Sequence, residues 1–300
     1  MISWLRKKRL LAATLLLLAS YAIWFGAQLV RFQNQRGETP RREGPPYEIQ
    51  GVYHVHTTLS DGRKPAEEIA ALAARLSLDF LILTDHGSPN RASLDVQGWK
   101  ENVLVLAGSE LSVSRGHLVG LNFAPPSRGF SQNAEHAAQE IASGGGFSVI
   151  AHPFSKTRWS WGGPGDYAGL EIIDNDSMVK KNYLAALPYF PALLLDPRLF
   201  LLKTLQRPDQ SLRKWDEFNR TRPFYGYFSA DAHLYYSALL NCFRLHILLE
   251  KPLAEVFVEA RAQVFGALRE GRFYSAVDAA RPAAGLLFWA EGEGVKRPMG

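Results

Sequence analysis

Residues 51–87 read GVYHVHTTLSDGRKPAEEIAALAARLSLDFLILTDHG, and this stretch decides the fold class. Two short apolar runs, 52–55 and 80–83, predict strands on either side of a helix over 65–78, which begins with proline and carries an alanine–leucine stripe. Further strands are predicted at residues 103–107, 117–123, 147–150, 169–173, 224–228 and 243–249, and further helices at about 131–144 and 253–270. Strands that alternate with helices indicate a mostly parallel α/β domain, and the 250 residues from position 51 onward match a (β/α) barrel in size.

A charge-free apolar run precedes this domain. Residues 10–30 read LLAATLLLLASYAIWFGAQLV, and a helix of that length spans about 31 Å, close to the hydrocarbon core of a bilayer. We therefore predict a basic cytoplasmic segment at residues 1–9, a transmembrane anchor at 10–30 and a polar linker at 31–50, with residues 51–300 outside the cytoplasm by the positive-inside rule. The alternative is a cleaved signal peptide, which fits less well because the run is longer than a typical signal core.

The charge distribution argues against binding to long nucleic acid. The whole chain carries a formal charge of +5, but residues 1–50 supply all of it, and residues 51–300 hold 26 basic and 26 acidic residues. A nucleic-acid track needs an excess of basic residues on the binding domain. The single cysteine, Cys242, excludes an internal disulfide.

Residues 177–222 interrupt the alternation of strands and helices and are predicted to be an insertion. They contain LAALPYFPALLLDPRLFLLKTL, which three prolines divide, so the segment cannot form one straight helix. The favoured interpretation is a pair of short helices packed on the edge of the barrel, because apolar stripes usually face a core. A surface that lies against the membrane is the alternative. The last residues, GLLFWAEGEGVKRPMG, predict a strand, a turn and the start of a second strand.

Six of the eight histidines, together with several carboxylates, lie at or next to the ends of predicted strands. In a parallel α/β barrel such strand ends share one rim, where catalytic groups belong. Imidazoles and carboxylates that converge there are costly unless a cation organises them. The candidate metal ligands are His54, His56, Asp61, His86, Glu110, His117, His152, Asp231 and His233. The two remaining histidines, His136 and His246, have no such neighbours and are interpreted as ordinary polar or core residues.

These motifs, in this order, resemble those of the PHP (polymerase and histidinol phosphatase) superfamily. The resemblance covers about residues 52–249 and rests on His54-Val-His56-Thr, Ser60-Asp61-Gly62, Thr84-Asp85-His86, Glu110 with His117-Leu-Val-Gly, Ala151-His152-Pro153 and Asp231-Ala-His233. It implies a distorted (β/α)7 TIM-like barrel with two to three divalent metal ions at one rim, which could be zinc, manganese or iron. It further implies a first metal held by His54, His56, Glu110 and Asp231, a second by Glu110, His86 and Asp61, and a third by His117, His152 and His233.

The resemblance makes hydrolysis of a small-molecule phosphomonoester by a metal-activated hydroxide the expected function. Candidate cations near the rim are Arg63, Arg115, Lys156 and Arg158, of which Arg115 and Arg158 are preferred because they flank His117 and His152. Asp85 is expected to orient His86 or to donate a proton. A phosphodiesterase or nuclease of the same superfamily and a non-catalytic membrane-tethered binding module remain alternatives, and nothing indicates the oligomeric state.

Overall fold

The computed structural model describes residues 2–35, 44–155, 158–279, 281–292 and 294–298. The helices are α1 (Ile2–Asn34), α2 (Ala66–Arg75), α3 (Arg91–Asp95), α4 (Ala134–Ser143), α5 (Asn175–Ala186), α6 (Ala192–Leu195), α7 (Pro197–Thr204), α8 (Asp209–Asn219), α9 (Tyr236–Leu240) and α10 (Phe257–Glu270), with a 3-10 turn at Leu187–Tyr189. The strands are β1 (Tyr47–Val55), β2 (Phe80–Leu83), β3 (Gly98–Lys100), β4 (Val103–Ala107), β5 (Ser109–Val113), β6 (Gly116–Leu121), β7 (Phe147–Ala151), β8 (Gly169–Asp174), β9 (Tyr225–Ser229), β10 (Phe243–Leu249), β11 (Phe273–Val277), β12 (Trp289–Gly292) and β13 (Val295–Pro298).

The strands form two main sheets of mixed direction. The first has the order β11-β10-β1-β2-β4-β3. The pairs β1–β2 and β2–β4 are parallel, and the other three pairs are antiparallel. The second has the order β5-β6-β7-β8-β9, in which β5, β6 and β7 pair antiparallel and β7, β8 and β9 pair parallel. The fold is therefore mixed α/β. No sheet among the described residues closes on itself, so the predicted (β/α)7 TIM-like barrel is not shown, although the isolated bridges Val55–Ala232 and His86–Glu110 link the two sheets.

The physical reason for this difference lies between β4 and β5. A parallel connection needs a crossover of a dozen or more residues, but here Gly108 alone separates the two strands and the chain passes directly into the second sheet. A Cβ atom on Gly108 would lie 2.2 Å from the carbonyl oxygen of Gly120, so the crossing requires glycine. Strands β5 and β6 then form a hairpin where a repeating barrel would have a helix.

One apolar core fills the space between the two sheets. Side chains from both contribute, among them Tyr53, Ile82 and Leu106 of the first sheet and Val119 and Tyr227 of the second. Helix α10 packs into the same core through five buried residues, of which Val264, Phe265 and Leu268 have the largest side chains. Since the strands are buried, the polar side chains at their carboxyl ends are held on a rigid frame.

The N-terminal helix extends beyond the predicted anchor. Helix α1 runs to Asn34 and β1 begins at Tyr47, so both ends of the predicted linker, residues 31–34 and 47–50, belong to regular structure, and residues 36–43 lie outside the described residues. Among the described helices, α1 is the one that is long and apolar enough to cross a membrane, with a mean hydropathy of 1.9 in its most apolar window.

The insertion contains more helices than the predicted pair. It folds as α5, the 3-10 turn, α6, α7 and α8. Three of its prolines stand at helix starts: Pro191 before α6, Pro197 at the first position of α7 and Pro208 before α8. Phe218 of α8 packs in the core beside Ile172 of β8. The predicted C-terminal β element is confirmed, because β12 and β13 pair antiparallel.

Candidate metal centre

The first two predicted ligands lie at the end of β1. His54 and His56 are fully buried, and their Nε2 atoms are 3.1 Å apart. They do not lie on a regular strand, because His54 has a φ of 65° and the pairing of β1 with β2 shifts register between Tyr53 and Val55. This irregularity turns the His54 ring toward His56, and such a left-handed conformation at a non-glycine residue is typical of functional sites.

Glu110 of β5 stands at the centre of the cluster. Its Oε2 atom lies 3.2 Å from Nε2 of His54, 3.1 Å from Nε2 of His56 and 3.3 Å from Nδ1 of His86. Its Oε1 atom lies 2.8 Å from Nδ1 of His117 and 2.9 Å from Nε2 of His152. Burial opposes ionisation, but the positive charge of His54 and the neighbouring histidines outweigh it and hold the pKa of Glu110 well below its ordinary value.

A second group of donors forms around the loop after β1. Oδ1 of Asp61 lies 3.2 Å from Nε2 of His233, and Oδ2 of Asp61 lies 3.6 Å from Nε2 of His86. The ring of His233 stacks on that of His56 at 4.1 Å. The arrangement differs from the one expected from the resemblance, in which His233 accompanied His117 and His152. A backbone hydrogen bond from Arg63 N to His233 O explains the difference, because it ties the His233 loop to the Asp61 loop.

Asp231 completes the site from the loop after β9. Its Oδ1 atom lies 3.5 Å from Nε2 of His54 and 3.4 Å from Nε2 of His56. Backbone bonds between Ala232 and the β1 end, from His56 N to Ala232 O and from Ala232 N to His54 O, hold the two loops together. Asp231 and His152 also have positive φ values, 41° and 28°, so three of the predicted ligands share this strained backbone.

The donor set fits divalent metal ions. Three groups each offer ligand atoms that lie within 4.8 Å of one another: His56, Asp61, His86 and His233; His54, His56 and Glu110; and His86, Glu110 and His117. Imidazole and carboxylate ligands suit zinc, manganese and iron alike. Within the described part of the chain, the buried Nδ1 of His117 has no hydrogen-bond partner although it lies 2.8 Å from Glu110. A cation between the two groups would satisfy both.

Asp85 does not occupy the position predicted for it. Its carboxylate is fully buried and accepts hydrogen bonds from Thr57 N at 2.7 Å, Ser60 Oγ at 2.7 Å and Ser93 Oγ at 2.9 Å, and from the Thr57 hydroxyl. These donors fill the acceptor capacity of a carboxylate. Asp85 therefore holds the loop that carries Asp61, and within the described residues its carboxylate bonds to Thr57, Ser60 and Ser93 rather than to His86.

The two preferred arginines also lie outside the site. Arg115 donates to the carbonyl oxygen of Ser160 at 2.8 Å and pairs with Glu135 at 2.5 Å, so its charge is directed away from the metal ligands. Arg158 is exposed and does not line the cavity of the site. Lys156 lies outside the described residues.

Two lysines on α5, rather than the two predicted arginines, line the cavity of the site. The ligands surround an open cavity of about 440 Å³, which seven of the nine predicted ligands line, and His54 and His56 lie beneath it. Lys180 and Lys181 also line this cavity; Lys180 pairs with Asp176, and Lys181 Nζ donates to the carbonyl oxygen of Phe154 at 2.7 Å. Neither lysine belongs to a metal or phosphate motif, and only the fold brings α5 to the rim.

Glu171 is a further site residue that the sequence analysis missed. Its Oε1 atom lies 2.6 Å from Nδ1 of His54, and its Oε2 atom accepts a hydrogen bond from His152 N at 2.8 Å. The carboxylate thus holds the Nδ1 proton of His54 and leaves Nε2 free to bind a cation. A signal was available, because Glu171 is the one acid inside the apolar run of the predicted strand 169–173, GLEII, and a buried acid normally has a partner.

The two remaining histidines lie away from the cluster. His136 is exposed on α4, where its backbone N–H donates to the capping side chain of Asn133. His246 is buried in β10, with Nδ1 2.6 Å from Glu48 Oε1 and Nε2 3.2 Å from Asp278 Oδ2. It belongs to a separate buried ionic cluster of the first sheet.

Comparison with solved structures shows that the chain has a fold similar to that of a PHP-like protein. No family model matches the sequence, and no curated protein matches it either. A solved two-domain structure from Bacteroides vulgatus, described as containing a predicted PHP-like metal-dependent phosphoesterase, is similar with a TM-score of 0.50 at 15% identity, over 80% of this chain and 70% of that one. The structure of PsfC from Pseudomonas syringae matches with a TM-score of 0.47 at 12% identity, over 77% of this chain and 92% of its own. The resemblance to the PHP superfamily is thus confirmed at the level of the fold.

Proposed function

We propose that this protein is a metal-dependent hydrolase that cleaves phosphomonoesters. The observation that carries the proposal is that five histidines surround Glu110, with Asp61, Asp231 and His233 next to those histidines, at the open end of a fold that the chain shares with a PHP-like phosphoesterase structure. Divalent ions bound there would lower the pKa of a coordinated water and offset the negative charge of a phosphoryl group.

The donor groups suggest how the ligands divide among the ions. His54, His56, Glu110 and Asp231 would hold one ion, and the second oxygen of Glu110 would share another with His117 and His152. Asp61, His86 and His233 would hold a third. Glu171 would keep His54 in the orientation and tautomer that a metal ligand requires.

The cavity favours a small substrate. Its volume of about 440 Å³ falls in the range of small-molecule sites. Lys180 and Lys181 at its wall would exchange their contacts with Asp176 and the Phe154 carbonyl oxygen for phosphoryl oxygens. The even balance of charge in residues 51–300 argues against a long nucleic acid.

The test is hydrolysis of p-nitrophenyl phosphate by the purified full-length chain in detergent, with zinc or manganese supplied. We expect turnover of this monoester to exceed that of bis(p-nitrophenyl) phosphate, and His56→Ala to abolish it because the residue contacts both Glu110 and Asp231. His136→Ala, which removes an exposed histidine outside the site, is the matched control and should retain full activity.

Three results would contradict the proposal. Preferred turnover of the bis ester would assign a phosphodiesterase activity. Bound metal without turnover of either ester would support a binding module. Retained activity in a folded His56→Ala variant would remove the assigned site altogether.

A further inference from the structure

The anchor helix and the insertion form one packed unit. Phe25 and Phe32 of α1 are buried against a cluster that includes Ala186, Leu199 and Phe200 of the insertion. The Tyr21 hydroxyl donates to the carbonyl oxygen of Pro188 at 2.9 Å. The rings of Trp24 and Tyr189 lie 5.3 Å apart. These contacts cover one side of α1 from about residue 21 to residue 32.

The contacts between α1 and the insertion determine how far the insertion would extend into a bilayer that α1 spans. The apolar run of residues 10–30 is about as long as a hydrocarbon core is thick, so a bilayer that accommodates it extends to about residue 30. The insertion, however, packs on α1 from residue 21 onward. About ten residues, or roughly 15 Å of helix, are therefore shared between the membrane and the insertion.

The outer face of the insertion is apolar and exposed. Residues 182–195 contain no charged side chain. Six of the large apolar side chains in and beside this stretch are between 49% and 91% exposed, and Leu194 is the most exposed of them. We call them the insertion surface: Tyr183, Leu184, Leu187, Phe190, Leu194 and Leu195. Contiguous exposed apolar groups of this kind usually mark an interaction site.

We propose that the insertion surface is embedded in the membrane leaflet on the domain's side of the anchor. The occupant is lipid because the surface continues directly from a helix with the length and composition of a membrane span. A basic group borders it, because Lys203 Nζ lies 4.7 Å from the ring of Tyr189 and can reach the polar headgroups. The proposal stands independently of the catalytic activity.

The test places a fluorescent probe on the insertion surface of the full-length chain. Leu194→Cys and, as a second position, Phe190→Cys are labelled with nitrobenzoxadiazole, and the protein is reconstituted in phosphatidylcholine vesicles. The native Cys242 is 1% exposed and should not react. Wild-type protein treated with the same reagent should therefore remain unlabelled. Val258→Cys, on an exposed residue of α10, is the matched control.

We expect the probes at positions 190 and 194 to be quenched several-fold more by phosphatidylcholine brominated on its acyl chains than by aqueous iodide. The probe at position 258 should show the reverse. The proposal is overturned if the probes at 190 and 194 respond to iodide as the control does, which means water contact. It is equally overturned if neither quencher reaches them, which means that protein covers the surface.

Discussion

At the scale of single residues, the buried carboxylate of Glu171 fixes the positions of two candidate metal ligands. Glu171 contacts the His54 ring at 2.6 Å and the His152 backbone at 2.8 Å, so it fixes two predicted ligands at once. It is fully buried and has no access to substrate. Glu171 is therefore a positioning residue, which acts on metal affinity through the orientation of His54.

Replacement of this carboxylate should weaken metal binding without unfolding the protein. We expect Glu171→Gln to lower metal affinity by about 10- to 100-fold, because residues that orient a ligand commonly have effects of that size. The measurement is competition for the metal with a chelator of known affinity. Glu259→Gln on the exposed face of α10 is the control, and equal affinities for the two variants would contradict the assigned role.

A second prediction at this scale concerns the contribution of Asp85 to the stability of the fold. Since Thr57, Ser60 and Ser93 all donate to its carboxylate, Asp85→Asn should leave buried donors without an acceptor and destabilise the fold by about 1–3 kcal/mol. Thermal unfolding followed by circular dichroism measures the loss. An unchanged melting temperature, together with a shifted pH profile of activity, would instead support the proton-donor role expected from the sequence.

At the scale of secondary-structure elements, an ionic cluster joins β1 to β10 and to the residues after β11. His246 of β10 lies between Glu48 of β1 and Asp278, and the Tyr274 ring stacks on it at 4.6 Å. Burial lowers the pKa of His246, but its bonds with Asp278 and Glu48 outweigh that effect and raise the pKa above the ordinary value of 6.5. The charged form is therefore favoured in the folded protein.

The stability that this cluster provides should fall as the pH rises. Because the folded-state pKa of His246 is raised, its contribution is fully present below about pH 6.5 and is lost as the pH rises through the folded-state value. We expect His246→Gln to cost about 1.5–3 kcal/mol at pH 6 and less at pH 9, which melting temperatures at the two pH values will show. His136→Gln should show no such difference, and a pH-independent loss in His246→Gln would contradict the charged-state assignment.

The elements also show what local sequence can predict. Apolar runs predicted eight of the eleven strands in the two sheets, because burial follows from short-range pattern, but β3, β5 and β11 were missed. The polar residues near the predicted strand ends supplied nine candidate ligands, of which the structure places seven around one cavity and the other two beneath it. The passage between sheets at Gly108 was missed, since strand pairing depends on contacts with Gly120, which is distant in sequence. The start of β1 was missed because Glu48 was interpreted as a linker charge, whereas His246 holds it in the sheet.

At the scale of the whole molecule, α5 connects the candidate metal centre to helix α1. Its first turns place Asp176 and Lys180 at the cavity, and its last residue, Ala186, packs in the cluster with Phe25 and Phe32 of α1. Twelve helical residues span about 18 Å, so the rim of the site lies within roughly that distance of the anchor contact.

The contact between the anchor and the insertion can be tested without reference to catalysis. Phe32→Ala removes a buried side chain from the cluster and should weaken the contact by about 3–5 kcal/mol. Amide hydrogen exchange of the full-length chain in detergent should then accelerate in α7, which contributes Leu199 and Phe200, and remain unchanged in β4. Leu17→Ala, on an exposed part of α1, is the control, and unchanged exchange in α7 of Phe32→Ala would contradict the packed unit.

The central claim is that the histidines and carboxylates around Glu110 bind metal, and the metal content of the purified full-length chain tests it most directly. We expect two to three equivalents of zinc, manganese or iron by inductively coupled plasma mass spectrometry. The His54→Ala/His56→Ala double variant should lose at least one equivalent, and His136→Ala should lose none. A folded wild-type protein that retains less than one equivalent after incubation with each of these metals would contradict the account.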